Sequence, residues 1–236
     1  MKHRQTIMPI LFGLVIVACS FLVSAADNTI RFDHDTTITD NVTIPENTTC
    51  IISPGVSIFV DGYRTITVLG LLIADAPSKS PILITGKDRP RGSIEKPCWQ
   101  GLEIRGKGSD AILRNVRIEG AFRTLIYESR PRIDTCTFTG NYTGIYCSGQ
   151  AAPSVSCCRI YANTFGLVAE VSAPMLLDNI ITGNRVGLHL QLGSHAVIGR
   201  NTITANTEDI RTEEYLGQTK DAIGVKKVWD LMNQLY

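Results

Sequence analysis

Residues 131–152 read PRIDTCTFTGNYTGIYCSGQAA, residues 153–173 read PSVSCCRIYANTFGLVAEVSA, and residues 174–195 read PMLLDNIITGNRVGLHLQLGSH. All three are variants of one phrase, Pro-x-Ile-x-x-x-x-Ile-x-x-Asn-x-x-Gly-Ile, and looser copies flank them. The copies begin at Ala111, Pro131, Pro153, Pro174 and Ala196, spaced by 20, 22, 21 and 22 residues. A period of this size is the mark of a solenoid. Each copy carries three apolar pegs, aligned by a fixed offset from its start. The first peg is Leu113, Ile133, Val155, Leu176 or Ile198. The second is Ile118, Phe138, Ile160, Ile181 or Ile203, and the third Leu125, Ile145, Leu167, Leu188 or Ile210. No run of ten residues at helical spacing fits between the Gly, Asn and Pro breaks, so three pegs mean three short strands per coil. Coils stacked by parallel pairing at about 4.8 Å bury the pegs in one continuous interior.

The turn columns agree. Asn141, Asn163, Asn184 and Asn206 share one offset, and Gly144, Gly166 and Gly187 share another. Asn and Gly tolerate the left-handed backbone of a bend. Stacked Asn amides also form hydrogen-bonded ladders of the kind seen in cross-β assemblies. With Asn-x-x-Gly-Ile phrases repeated over residues 111–211, the chain resembles the right-handed parallel β-helix proteins of the pectin-lyase-like superfamily, in their short-repeat branch. Upstream, Val42–Ile44, Val56–Val60, Thr65–Ala74, Pro81–Thr85 and Trp99–Ile104 read as looser coils of the same kind. The expected fold is therefore all-β, a right-handed parallel β-helix of about eight coils over residues 26–211. Residues 212–236 change period: Val225, Val228, Trp229, Met232, Leu235 and Tyr236 fall on one helical face behind Thr219 and Asp221 as capping residues. They are expected to form an α-helix that caps the last coil.

The amino terminus opens with Lys2, His3 and Arg4, continues through apolar Ile7–Ala18, and reaches Val23-Ser24-Ala25. This is the pattern of a signal peptide, residues 1–25. Ile16-Val17-Ala18-Cys19 also resembles a lipobox, which would make Cys19 a site of lipid attachment, and an uncleaved anchor is the third route. All three place the domain outside the cytoplasm, secreted, periplasmic or lipid-anchored, and touching a membrane only through this segment. With 23 Lys and Arg against 22 Asp and Glu, no basic excess marks a nucleic-acid binder. Six cysteines follow the leader. Cys136 and Cys158 share an offset and so stack one coil apart, as a possible disulfide or as a ladder of small buried side chains that Asn179 and Asn201 continue. Cys147 reads as a core thiol. Cys157-Cys158 lacks metal-ligand spacing, and no metal or cofactor is expected.

Residues beside each peg point outward and form rows. On the third face one row is Ile126, Tyr146, Val168, His189 and Arg211, and the row two positions on is Glu128, Ser148, Glu170 and Gln191. Glu128, Tyr146, Glu170 and His189 thereby form one strip suited to a sugar, with a ring to stack and polar groups to take hydroxyls. Glu128 and Glu170 are two coils apart, about 10 Å, near the upper end for an inverting glycosidase pair. Ordinary surface polarity is the competing explanation. The second face carries Arg117, Glu119, Thr137, Thr139, Arg159, Tyr161, Ile180, Thr182, Thr202 and Thr204. Arg105, Lys107, Arg114, Arg123, Arg130 and Arg132 cluster along the first regular coils, interspersed with acids. Asp33-His34-Asp35 is the densest ionisable triplet and reads as a polar turn.

The enzymes of the resembled superfamily bring an Asp-Asp pair or a calcium-binding carboxylate cluster on neighbouring coils; no Asp-Asp occurs here and no such cluster assembles from consecutive coils. The expected role is a non-catalytic exported module that binds a polysaccharide or another envelope component. The alternative is a polysaccharide lyase or glycoside hydrolase acting on an acidic polysaccharide. The repeats also resemble those of periplasmic accessory proteins of copper-enzyme maturation, but no His or Met cluster accompanies them.

Overall fold

The computed structural model describes residues 28–87 and 96–213. The expected signal segment with Cys19, and the expected carboxyl-terminal helix from residue 214 on, lie outside these residues. Within them the chain winds through eight coils of three strands each. Corresponding strands stack into three parallel eight-stranded sheets. Sheet 1 runs from Thr29–Phe32 to Val197–Ile198, sheet 2 from Thr36–Ile38 to Thr202–Thr204, and sheet 3 from Val42–Ile44 to Glu208–Thr212. The looser upstream segments are coils 1 to 3, and the last strand ends at Thr212, one residue past the expected boundary.

Strands this short hold because every ladder continues above and below, and because alternation sends the pegs inward. Leu113, Ile133, Val155 and Leu176 are buried on sheet 1, and Ile118, Phe138, Ile160 and Ile181 on sheet 2. On sheet 3 the pegs are Leu102, Thr124, Ile145, Leu167 and Leu188. Leu125 is not the peg of coil 4. A β-bulge sets Arg123 opposite Thr143 and Thr124 opposite Ile145, so Gly144 is an extra residue in coil 5. A uniform offset therefore slips by one in coil 4. Every side chain after the bulge changes face, as a one-residue shift in a strand requires. Thr124 consequently lies in the interior with its hydroxyl buried and without a hydrogen-bond partner, and Cys147 stacks on Ile126.

The bends correct a second expectation. The ladder asparagines are not left-handed; the residue before each one is. Gly140, Ala162, Gly183 and Ala205 have φ of 62°, 54°, 63° and 57°. A parallel column, Asn115, Thr135, Cys157 and Asp178, turns the chain between sheets 1 and 2 at φ of 52° to 55°. Non-glycine residues adopt this region at a cost of about 1–2 kcal/mol each, so the stacking must over-determine each bend. The asparagines supply much of that constraint. Asn163 Oδ1 accepts the Asn141 N–H at 2.9 Å, and Asn184 Oδ1 accepts the Asn163 N–H at 3.0 Å. Asn163 Nδ2 donates to Asn184 Oδ1 at 2.9 Å and to the Phe138 carbonyl at 3.1 Å. The glycines at Gly144, Gly166 and Gly187 answer a different need: a Cβ at Gly166 would stand 2.4 Å from the Gly187 carbonyl oxygen of the next coil.

Cys136 and Cys158 occupy a second ladder of the same design. Asn179 Oδ1 accepts the Cys158 N–H at 2.9 Å and Cys158 Sγ accepts the Cys136 N–H at 3.4 Å, so a thiol takes the place of an amide. Both are buried and both are free thiols.

Candidate functional site

The bulge in sheet 3 decides which side chains share its outer face. The row through Tyr146 is Glu103, Leu125, Tyr146, Val168, His189 and Arg211. Ile126, expected there, points inward. In the neighbouring row Tyr127 stands where Glu128 was expected, opposite Ser148. Glu128 has moved into the bend at φ 53°, its N–H donating to the Ser148 carbonyl at 3.3 Å. The expected strip is therefore three residues with Glu128 displaced: Tyr146, Glu170 and His189 lie on the face, and Glu128 sits at its edge.

Two diagonal contacts of the same geometry organise that face. The Tyr146 hydroxyl donates to Glu170 Oε2 in the next coil, and His189 Nε2 faces Glu213 Oε1 at 3.1 Å one coil further on. Burial, then the hydrogen bond to Glu170 and its charge, push the Tyr146 phenol up to about 12, against the lowering effect of Arg123. The phenol is protonated at neutral pH and is a donor. The guanidinium carbon of Arg123 lies 5.2 Å from the centroid of the Tyr146 ring and 5.6 Å from that of Phe122.

Beside these groups runs an aromatic ladder that the repeat offsets did not single out. Phe122 stacks on Tyr142 with centroids 5.2 Å apart and planes within 10°. Tyr142 meets Phe165 edge-on at 5.7 Å, and Phe165 stacks on the His189 ring at 5.8 Å. The ladder crosses four consecutive coils, with Tyr142 exposed, Phe122 and Phe165 half-buried and His189 buried. The signal was an aromatic residue at offset 11, 11 and 12 in three successive copies. It is hidden because Phe165 is one position out of column and the copy that holds Phe122 has Ala121 and Thr124 in place of the Asn and Gly of the phrase.

A surface with rings in file and polar groups alongside is equipped to stack apolar faces and accept or donate hydrogen bonds. It is poorly equipped for a two-carboxylate displacement. Glu170 is engaged by Tyr146, Glu128 is out of the row, and the Tyr146 phenol, pushed up to about 12, stays protonated at neutral pH and is not available as a base.

The other candidates resolve into stitching. Asp33 Oδ1 accepts from Ser53 Oγ at 2.6 Å and Asp35 Oδ1 from the Ser57 N–H at 2.7 Å, tying coil 1 to coil 2. Among the described residues no three His, Cys, Asp or Glu side chains converge as metal ligands. The rows of sheet 2 fall as expected, with Arg117 paired to Glu119. A shallow depression of about 210 Å³ lies there between Arg159, Tyr161, Ala162, Ile180, Thr182 and Gly183. Of the basic cluster, Arg105 pairs with Glu103 at 2.6 Å and Arg114 with Asp75 at 2.5 Å.

Comparison with known proteins agrees with this architecture. The profile of the family described as the right handed beta helix region matches residues 16–207. No curated protein and no solved structure gives a significant match.

Proposed function

The chain belongs to the right-handed β-helix family, and from that premise we propose that it is an exported, non-catalytic module whose sheet 3 face binds a glycan or another component of the cell envelope. The observation that carries the reading is the file of rings Phe122, Tyr142 and Phe165, rising one coil at a time beside Tyr146 and Glu170 and closed at its end by the buried His189 ring. Parallel stacking fixes the rings on a rigid backbone at a spacing set by the coils. A sugar chain lying along the helix axis would meet them in succession and lose little of the gain to ordering the protein. The polar groups at the side take hydroxyls, with Tyr146 as donor and Glu170 as acceptor.

A glycan array probed with the mature domain, followed by assay of every hit for depolymerisation, tests this. Binding without release of oligosaccharides is the expected result, and Tyr142→Ala is expected to weaken it about tenfold or more, the scale of a lost stacking contact. Cleavage that Glu170→Gln abolishes would instead establish the lyase or hydrolase reading. Absence of binding to any glycan would refute the reading of sheet 3 as a glycan-binding face.

A further inference from the structure

Arg123 stands apart from the other charges of sheet 3. The carboxylates of the sheet 3 face are engaged elsewhere: Glu103 by Arg105 at 2.6 Å, Glu170 by the Tyr146 hydroxyl, Glu213 by His189 at 3.1 Å. Among the described residues no carboxylate pairs with Arg123, and its Nε is buried without a hydrogen-bond partner. Its position is nevertheless well determined, because the guanidinium is held over the Phe122 and Tyr146 rings at 5.6 and 5.2 Å. Its charge reaches Tyr63 as well as Tyr146, opposing in both the upward push of burial on the phenol.

A half-buried cation without a counter-ion is an unfavourable arrangement in isolation, since part of its hydration has been given up with no charge in exchange. The ring faces recover some of this through their quadrupoles. They do not supply an oxygen acceptor. A guanidinium already stacked and oriented is prepared for an oxyanion, because little side-chain freedom remains to be lost when one arrives.

We infer that Arg123 is an anion subsite of the ring-lined face, and that the ligand bound there is a glycan carrying an oxyanion substituent, a carboxylate or a sulfate, placed against Arg123 while its sugar rings follow Phe122, Tyr142 and Phe165. The inference rests on the reading of sheet 3 as a glycan-binding face and adds the charge of the ligand and the residue that selects it.

The test is direct binding of the folded domain to three probes: a uronate oligosaccharide, the same oligosaccharide fully methyl-esterified, and a sulfated oligosaccharide. The wild-type protein is expected to prefer the free uronate or the sulfated probe over the ester by about tenfold to a hundredfold at low salt, the range of a charge-assisted hydrogen bond. The preference is expected to shrink as ionic strength rises. Whichever anionic probe binds tighter identifies the substituent. Arg123→Gln should bring the ratio of charged to esterified binding close to one, and Arg123→Lys should give an intermediate ratio, because charge is kept and the planar fork is lost. The comparison of probes on wild-type protein needs no variant, so a folding defect in either substitution does not blunt it. A wild-type protein that binds the ester as well as the acid overturns the inference while leaving the glycan-binding face intact, as does an unchanged ratio in Arg123→Gln. Failure to bind any of the probes or any arrayed glycan overturns both readings.

Discussion

Asn163 is the residue whose replacement most sharply tests how the coils hold one another. Its side chain makes four hydrogen bonds across three coils: Oδ1 accepts from the Asn141 N–H at 2.9 Å, and Nδ2 donates to the Phe138 carbonyl at 3.1 Å, the Tyr161 carbonyl at 3.0 Å and Asn184 Oδ1 at 2.9 Å. The residue is 2% exposed, and Asn141 above it is fully buried. Asn163→Ala strands the Asn141 N–H with no route for water and removes a donor from three acceptors. Counting about 1–3 kcal/mol for the orphaned donor and smaller amounts for the acceptors gives a loss of about 3–5 kcal/mol. Asn206, in the last described coil of the same ladder, is half-buried with exposed hydrogen bonds, and its replacement by Ala is expected to cost about 1 kcal/mol, since water replaces what is lost. Asn163→Asp refines the comparison. It keeps shape and the Oδ1 acceptor but turns an N–H₂ into an oxygen facing three other acceptors. The buried carboxyl has its folded-state pKa raised above the unfolded value, so its penalty is small below about pH 4 and grows as pH rises through the folded value. Urea unfolding followed by far-ultraviolet circular dichroism measures all three variants. Equal losses of about 1 kcal/mol at Asn163 and Asn206 would refute the argument that buried ladder bonds hold the stack, as would an Asn163→Asp variant whose stability is independent of pH.

The stacking of the coils has further testable outcomes. Gly166→Ala drives a Cβ to 2.4 Å from the Gly187 carbonyl oxygen, whereas Gly108→Ala meets nothing within 4 Å at an ordinary φ. Thermal unfolding should show a large drop for the first and little change or a slight gain for the second. Among the described cysteines, exposed Cys157 should react first with an aromatic disulfide reagent, and Cys157→Ser should remove the fast phase. Desolvation, then Asp134 and Asp178, raise its thiol, so the reaction should be slower at neutral pH than for an ordinary surface thiol and accelerate as pH rises. Buried Cys50, pushed up to about 12 by desolvation, should stay silent until urea unfolds the coils. If export is correct, mass spectrometry of protein isolated from an oxidising compartment decides whether Cys136 and Cys158 persist as thiols; their column makes them ladder members, and alkylation of both after unfolding is the expected result.

How far the sequence carries can be judged residue by residue. The pegs on sheets 1 and 2 and the asparagine columns follow from spacing, because a stacked coil repeats its hydrogen bonds and its interior at the same place in every turn. Leu125 and Glu128 were misplaced for one reason: counting from Ala111 cannot register the extra residue at Gly144 that shifts the strand of coil 4 by one. Backbone angle was also misattributed, since the constraint on Asn163 lies in what its amide must reach and the left-handed turn falls on Ala162. The aromatic file was harder to see, as Phe122, Tyr142 and Phe165 approach one another only once three bends set them side by side. Arg123 looked like one of several basic residues, and its lack of a partner is a property of packing that no spacing expresses.

The Asn and peg columns also make the molecule divisible. Each turn meets the turns above and below through one repeated set of contacts, as in other solenoids. Removing residues 153–173 would join Ala152 to Pro174 and set Ile145 against Leu188, Asn141 against Asn184 and Gly144 against Gly187, every column unbroken. The face on sheet 3 would shorten by a single step of about 4.8 Å, with Phe165 and Glu170 gone and Tyr146 brought opposite His189. The reach of this protein along whatever it binds is thus set in whole turns, and a lineage can lengthen or shorten it by gaining or losing one turn without redesigning the rest.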